Sequence, residues 1–221
     1  MEVYATEHEQ VEAIKRWIKE NAVSTIIGVA LGVAAVFGWR VWMEYQHQQG
    51  ASAANEYAQV LSALNQKQMK EVLQKGDNII VEYGRSPYSA LAALAMAKAD
   101  LTADDRDSAK VHLRSAMEHA RLEPLGHIAR QRLIRVYLSE AALDEAERLL
   151  NEASALQKET EIFSVGYNEL QGDLLSARGD VSGAAQLYHK AMAGLPADSP
   201  YRAILELKRD DAGWSAAEGH S

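Results

Sequence analysis

An all-α chain, with a single N-terminal transmembrane helix followed by a helical-repeat solenoid, is the fold class the sequence predicts, and three observations carry it. One uncharged apolar run of hydrocarbon length lies near the N-terminus. The rest is rich in Ala, Leu, Glu and Lys, and no alternating β-branched run is long enough for a strand. A pattern of small and large apolar residues then recurs at a near-constant period.

The apolar run extends from Asn21 to Trp39, nineteen residues without a charge. At about 1.5 Å per residue a helix of that length spans roughly 28 Å, close to the thickness of a bilayer core. Trp17 stands on one side and Trp39, Trp42 and Tyr45 on the other, where amphipathic rings favour the two interfaces. A cleaved secretory leader is a poor fit. Its start would be basic and its apolar stretch shorter, with a small-x-small site directly after it. Here Glu2, Glu7, Glu9, Glu12 and Glu20 precede the run, and Ala51-Ser52-Ala53 lies twelve residues beyond Trp39. A buried core helix would show a polar face, and this run has none. A permanent anchor over 21–43 is therefore expected, in contact with membrane lipid. Lys15, Arg16 and Lys19 precede it and only Arg40 occurs in the twenty residues from 40 onward, which places the N-terminus in the cytoplasm and exports the C-terminal part. Gly28 and Gly32, four apart, form a candidate face for pairing with another membrane helix, although glycine is frequent in such helices in any case.

Residues 1–20 read as a cytoplasmic amphipathic segment. Thr6-x-x-Glu9 has capping-box spacing, and Val11, Ile14 and Ile18 follow at helical intervals. Such a stripe can rest on headgroups or serve as a contact site.

From 44 to 210 the pattern is one helical domain, with 211–221 as a flexible tail. Asn78-Ile79-Ile80-Val81 is β-like but too short to outweigh its helical flanks. Ser86-Pro87 and Ser199-Pro200 place a cap before a first-turn proline, and Gly84 and Gly179 suit helix ends. The period lies in three triplets. They are Ala109, Leu113 and Ala116, then Ala146, Leu150 and Ala153, then Ala184, Tyr188 and Ala191, and their first members are 37 and 38 residues apart. Alanines let antiparallel helices approach closely and the large residue fills the space between them.

This pattern resembles the tetratricopeptide repeat, at a period slightly longer than its usual 34 residues. The last unit matches best, with Gly172, Gly179-Asp180, Ala184, Tyr188, Ala191 and Pro196, and departs at Gln171, where Leu is usual. The middle unit keeps Leu133, Tyr137, Ala146, Leu150 and Ala153 but has Ile134 in place of Gly. Residues 52–84 form a helical pair without a signature, a degenerate first unit or a cap. Stacked units form a curved solenoid whose inner surface comes from the first helix of each pair. On this register Lys98, Arg135 and Asp173 share one inner-face position, with Gln131 and Glu169 near by, and they are the candidate binding residues. The acidic last unit argues against capture of chaperone C-terminal tails, and each of the five also reads as part of a solvated helix face.

Several function classes are disfavoured. The net charge is −8, and from Tyr45 onward 19 Lys and Arg face 25 Asp and Glu, a balance unsuited to nucleic acid. There are no cysteines, so neither a disulfide nor a thiolate metal site can form. The seven histidines show no zinc spacing, no phosphate-cradling glycine loop or nucleophile elbow occurs, and Asp104, Asp105 and Asp107 sit at a helix start, where they complement the dipole. No cofactor, metal or enzymatic activity is expected.

The opening "VYATEHEQVEAIKRWIKENAVSTIIGVALGVAAVFGWRVW" has a Glu-x-Glu-Gln start, a Val11-Glu12-x-Ile14-Lys15 step, Trp17, Glu20-Asn21 and an anchor ending in Gly38-Trp39-Arg40. With the repeats behind it, the chain resembles the YfgM family, ancillary subunits of the SecYEG translocon in proteobacteria. It departs at Ala22, where the family has Gly. The resemblance implies an inner-membrane protein that associates with the translocon and with a membrane-anchored periplasmic prolyl-isomerase chaperone. It would help to pass emerging, non-native polypeptides to the periplasmic folding machinery, and its cytoplasmic segment would help to restrain an envelope stress response. From residues alone a second reading stays open, a structural scaffold in another cell-envelope assembly.

Overall fold

The computed structural model describes residues 7–155 and 161–212, and Thr6 of the expected capping box and residues 213–221 of the expected tail lie outside these. Among the described residues nine α-helices follow one another: α1 (Glu7–Asn65), α2 (Met69–Glu82), α3 (Pro87–Thr102), α4 (Arg106–Glu118), α5 (Glu123–Ser139), α6 (Leu143–Ala155), α7 (Ser164–Ala177), α8 (Val181–Ala193) and α9 (Tyr201–Asp211). The same residues hold no strand, and Ile79 and its neighbours belong to α2. The chain divides into two compact units, Met1–Ala51 and Ser52–Ser221.

Helix α1 begins in the first unit and runs on without a break where the sequence suggests separate segments before, within and after the anchor. No proline interrupts Glu7–Asn65, and strong helix formers such as Glu44, Gln46, Ala51 and Ala53 occupy the stretch beyond the apolar run. Ile26, Ile27, Leu31, Val36, Phe37 and Trp39 are each more than half exposed. From Ile26 onward the helix is long and apolar enough to cross a membrane, and none of its apolar window is buried within the protein. A core helix of a soluble fold would be covered, so this exposure fits a helix solvated by lipid.

The second unit is built from hairpins. Four turns share one geometry: Lys67, Asp104, Ala141 and Gly179 are left-handed, with φ of 57°, 58°, 57° and 85°. The residue after each donates its N–H to the carbonyl five positions back, Gln68 to Ala63, Asp105 to Asp100, Ala142 to Tyr137 and Asp180 to Leu175, at 2.9 Å throughout. This closure satisfies carbonyls that the helix end would otherwise leave unpaired. The left-handed positions recur at 37, 37 and 38 residues. The hairpin of 52–65 with α2 is therefore a true repeat unit, although its sequence carries no signature.

Side-chain caps start two of the second helices, α4 and α8, and one first helix, α3. Asp105 accepts from the Ser108 N–H and Asp180 from the Gly183 N–H, while Ser86 caps α3 ahead of Pro87. The Ser199-Pro200 expectation shifts by one residue: α9 begins at Tyr201 with Pro200 in the capping position and no side-chain bond.

Three apolar clusters lie between the hairpins. Val60, Ala63, Val72, Ile79 and Met96 join the first pair to α3. Leu113, Leu133, Ile134, Leu150 and Leu170 form the middle of the solenoid, and Ala184, Tyr188, Met192 and Leu205 its end. Each fully buried Leu or Ile contributes about 1.5–3 kcal/mol relative to exposure. Every member of the three triplets is buried, as are Leu133, Tyr137 and Gly172. On α4, Ala109, Leu113 and Ala116 are fully covered, and Leu113 and Ala116 belong to the middle cluster with Ala146 and Leu150 of the next pair. Ala153 and Ala191 are their buried counterparts on α6 and α8. At Gly172 a Cβ would come 2.6 Å from the Tyr188 ring, so glycine makes room for a large partner. Where the middle unit has Ile134 instead, the residue at the Tyr188 position is the shorter Leu150, and both are buried in one cluster. The departure from the repeat pattern is compensated in volume.

Candidate binding surface

The candidate binding residues lie on the first helices of the pairs, and α3 shows why the open side of such a helix is narrow. Between Ser89 and Asp100 all residues except the half-buried Leu91 and the exposed Lys98 are buried. α3 makes close contact with α2, α4 and α5, so the line through Tyr88, Leu91, Lys98 and Leu101 is what remains open. Lys98 and Arg135 are both exposed. The triplet residues stand apart from this surface: Ala116, like Ala109 and Leu113 on the same helix, is sealed in the interior, where it sets helix spacing and reaches no ligand.

The other candidate residues have partners. Gln131 donates to the Phe163 carbonyl at 3.3 Å, and Arg135 reaches Glu169 at 3.4 Å. Glu169 is 3 % exposed, and the groups that hold it come largely from α9: Lys208 Nζ at 2.7 Å and the Tyr201 hydroxyl at 2.7 Å. Lys208 also donates to both oxygens of Asp173, at 2.8 and 2.9 Å, and Asp173 accepts from the Tyr188 hydroxyl at 2.9 Å. The ammonium lies 5.8 Å from the centre of the Tyr188 ring, within cation–π range. The structure thus gathers Arg135, Glu169 and Asp173 around a lysine from the end of the chain. For Glu169 this corrects the reading of a solvated helix face, because α9 covers it.

Lys208 and Tyr201 were missed by the repeat register because α9 lies outside it. A signal existed: Tyr201, Leu205, Lys208 and Ala212 recur at helical spacing and form the inward side of α9. His112 is a smaller revision. Its ring pairs with the buried carboxylate of Asp100, a contact that the absence of zinc spacing among the histidines does not foretell. On α1, Gly28 and Gly32 face open space within the chain.

Titration of the network follows from this geometry. Burial pushes the Glu169 carboxyl up, but hydrogen bonds from Lys208 and Tyr201 and the charges of Lys208 and Arg135 outweigh it and hold the group below the ordinary range. Burial likewise opposes the charge on Lys208, and Asp173 and Glu169 more than offset it, raising its pKa. A depressed carboxylate stabilises the fold above its unfolded value, about 4.3, and that contribution is lost as pH falls through the folded value. A raised lysine contributes below its unfolded value, about 10.4, and loses the contribution as pH rises further. Between these limits the network is fully formed. Thermal unfolding followed from pH 6 down to about pH 3 is expected to show a steeper loss of stability for the natural chain than for Glu169→Gln. Parallel curves would remove Glu169 from the acid response.

Comparison with known proteins places this architecture. Residues 15–213 match the tetratricopeptide repeat-like domain family, a span that includes the apolar stretch of α1 as well as the hairpins. The chain is 29% identical over 198 residues to the ancillary SecYEG translocon subunit of Escherichia coli (strain K12), covering 90% of this chain and 91% of that one. The protein of the same description in Haemophilus influenzae is 29% identical, over 85% of this chain and 90% of the relative. That of Aggregatibacter actinomycetemcomitans is 30% identical over the same shares. The chain belongs to the YfgM family. For this YfgM-family member, the shared span means that anchor helix and repeats form one inherited unit. These relatives are described as ancillary subunits of the SecYEG translocon.

Proposed function

We propose that the chain is a membrane-anchored, protein-binding adaptor of the SecYEG translocon. The observation that carries this reading is the near end-to-end match to ancillary translocon subunits, which takes in both the anchor and the solenoid. Physical support comes from each part. A lipid-solvated α1 tethers the domain beside a membrane complex, and the excess of Lys15, Arg16 and Lys19 over Arg40 favours a cytoplasmic N-terminus and a periplasmic repeat domain on the inner membrane. Gly28 and Gly32 carry no side chain to hold a neighbouring membrane helix away, and pairing with a partner subunit would use that face. Curved stacks of helical hairpins offer an extended surface for polypeptide, so the adaptor would contact a membrane-anchored periplasmic prolyl-isomerase chaperone and non-native chains leaving the translocon. The segment before the anchor, with its Val11, Ile14 and Ile18 stripe, would serve the restraint of an envelope stress response.

Affinity purification of the intact chain in mild detergent is expected to recover translocon subunits together with the prolyl-isomerase partner, and reporter fusions at the two ends to show opposite sides of the membrane. Recovery of another envelope assembly without translocon subunits would favour the scaffold reading.

A further inference from the structure

The acids of the inner face make the sequence look hostile to an acidic ligand, and the structure sets them against Lys208 and Arg135. Glu169 and Asp173 are the acidic candidates of that face, and Lys208 of α9 engages both. The register of the four turns shows what the rest of the face presents. Leu61, Lys98, Arg135 and Asp173 are equivalent positions in successive units. Leu61 is exposed, and so are Lys98, Leu101, Arg132 and Arg135. Arg132 and Arg135 lie three apart on α5 and share a side of that helix. Tyr57, packed on Tyr88 with ring centres 5.8 Å apart, continues the face toward the first unit. Burial raises the Tyr57 phenol, and the charge of Arg132 opposes this.

We propose that this face, lined by Tyr57, Leu61, Lys98, Leu101, Arg132 and Arg135, binds an acidic, apolar-containing polypeptide segment. This deepens the adaptor reading above and rests on it. Charge complementarity supplies the specificity: Lys98 and Arg132 stand among exposed leucines, while Lys208 and Arg135 together balance the two facing carboxylates, Glu169 and Asp173. The leucines and the tyrosine pair give the segment's apolar side chains something to cover, and the cations select for the charge between them. A basic segment would place like charges together at close range and gain nothing from Glu169, which is buried.

The test uses the full chain in nanodiscs of zwitterionic lipid and three labelled peptides of equal length, alternating Leu with Asp, with Ser or with Lys, read by fluorescence anisotropy. The Leu-Asp peptide is expected to bind about tenfold more tightly than the Leu-Lys peptide, with affinity falling as salt is raised. Lys98→Glu with Arg132→Glu is expected to reduce Leu-Asp binding about tenfold, while Lys190→Glu, at an exposed position of α8, leaves it unchanged. An unaltered circular dichroism spectrum of the double variant shows that it is folded. Equal binding of all three peptides, or Leu-Asp binding that survives the double variant, overturns this inference and leaves the adaptor reading standing. Failure of every peptide to bind counts against both.

Discussion

Lys208→Ala is expected to lower the thermal midpoint of the repeat domain by about 5–10 °C, measured by loss of far-UV ellipticity. The reason is the asymmetry of buried charge. Removing one partner of a buried pair leaves the other ionised, desolvated and short of donors, at a cost of about 3–5 kcal/mol when no other donor remains. Glu169 keeps Tyr201 and Arg135, so about 2–3 kcal/mol is the expected loss here. Asp173, which keeps the Tyr188 hydroxyl, loses less because it is partly open to water. The damage should be local. Hydrogen exchange is expected to accelerate in α9 and the adjoining part of α7 before it changes in α3 or α4. Adding Glu169→Gln to Lys208→Ala should recover part of the loss, since the orphaned charge is then gone. An unchanged midpoint for Lys208→Ala would mean that α9 is held by Leu205 and its apolar neighbours alone.

The second large effect is expected from Ala184→Trp. Ala184 is fully buried where α8 meets α7, in the cluster that contains Tyr188, Ala191 and Leu205. An indole there would have to displace the Tyr188 ring, which already fills the space left by Gly172. Overpacking typically costs about 1–3 kcal/mol for smaller additions, and a methyl-to-indole change at a close helix contact is expected to reach or exceed the upper value. The exposed neighbour Gln186→Trp, on the same helix, is expected to change stability by no more than about 0.5 kcal/mol. Similar melting of the two variants would disprove the packing register.

That register was legible in sequence for a mechanical reason. Close packing of two helices needs small residues at fixed intervals, so Ala109 and Ala116, Ala146 and Ala153, and Ala184 and Ala191 declare themselves wherever the period is kept. The first unit kept the period in its backbone only. Lys67 and Ala141 adopt a conformation usually left to glycine, and nothing in their side chains announces it, while Asp104 is of a type that enters this region more readily. The hydrogen bonds that close each turn and the stacking of the next hairpin impose that conformation over local preference.

The sequence by itself determined the all-α class, the hydrocarbon-length anchor and the period of the hairpins, because each depends on residues near one another along the chain and on a repeat that needs no knowledge of the fold. Only the tertiary structure decided the fate of the inner-face charges. Lys208 meets Glu169 and Asp173 across 39 and 35 positions of sequence, and a carboxylate that reads as solvated from its neighbours in the chain becomes buried and neutral in effect once α9 folds over it. The electrostatic sign of the remaining surface follows from that contact, and no local pattern of residues encodes it.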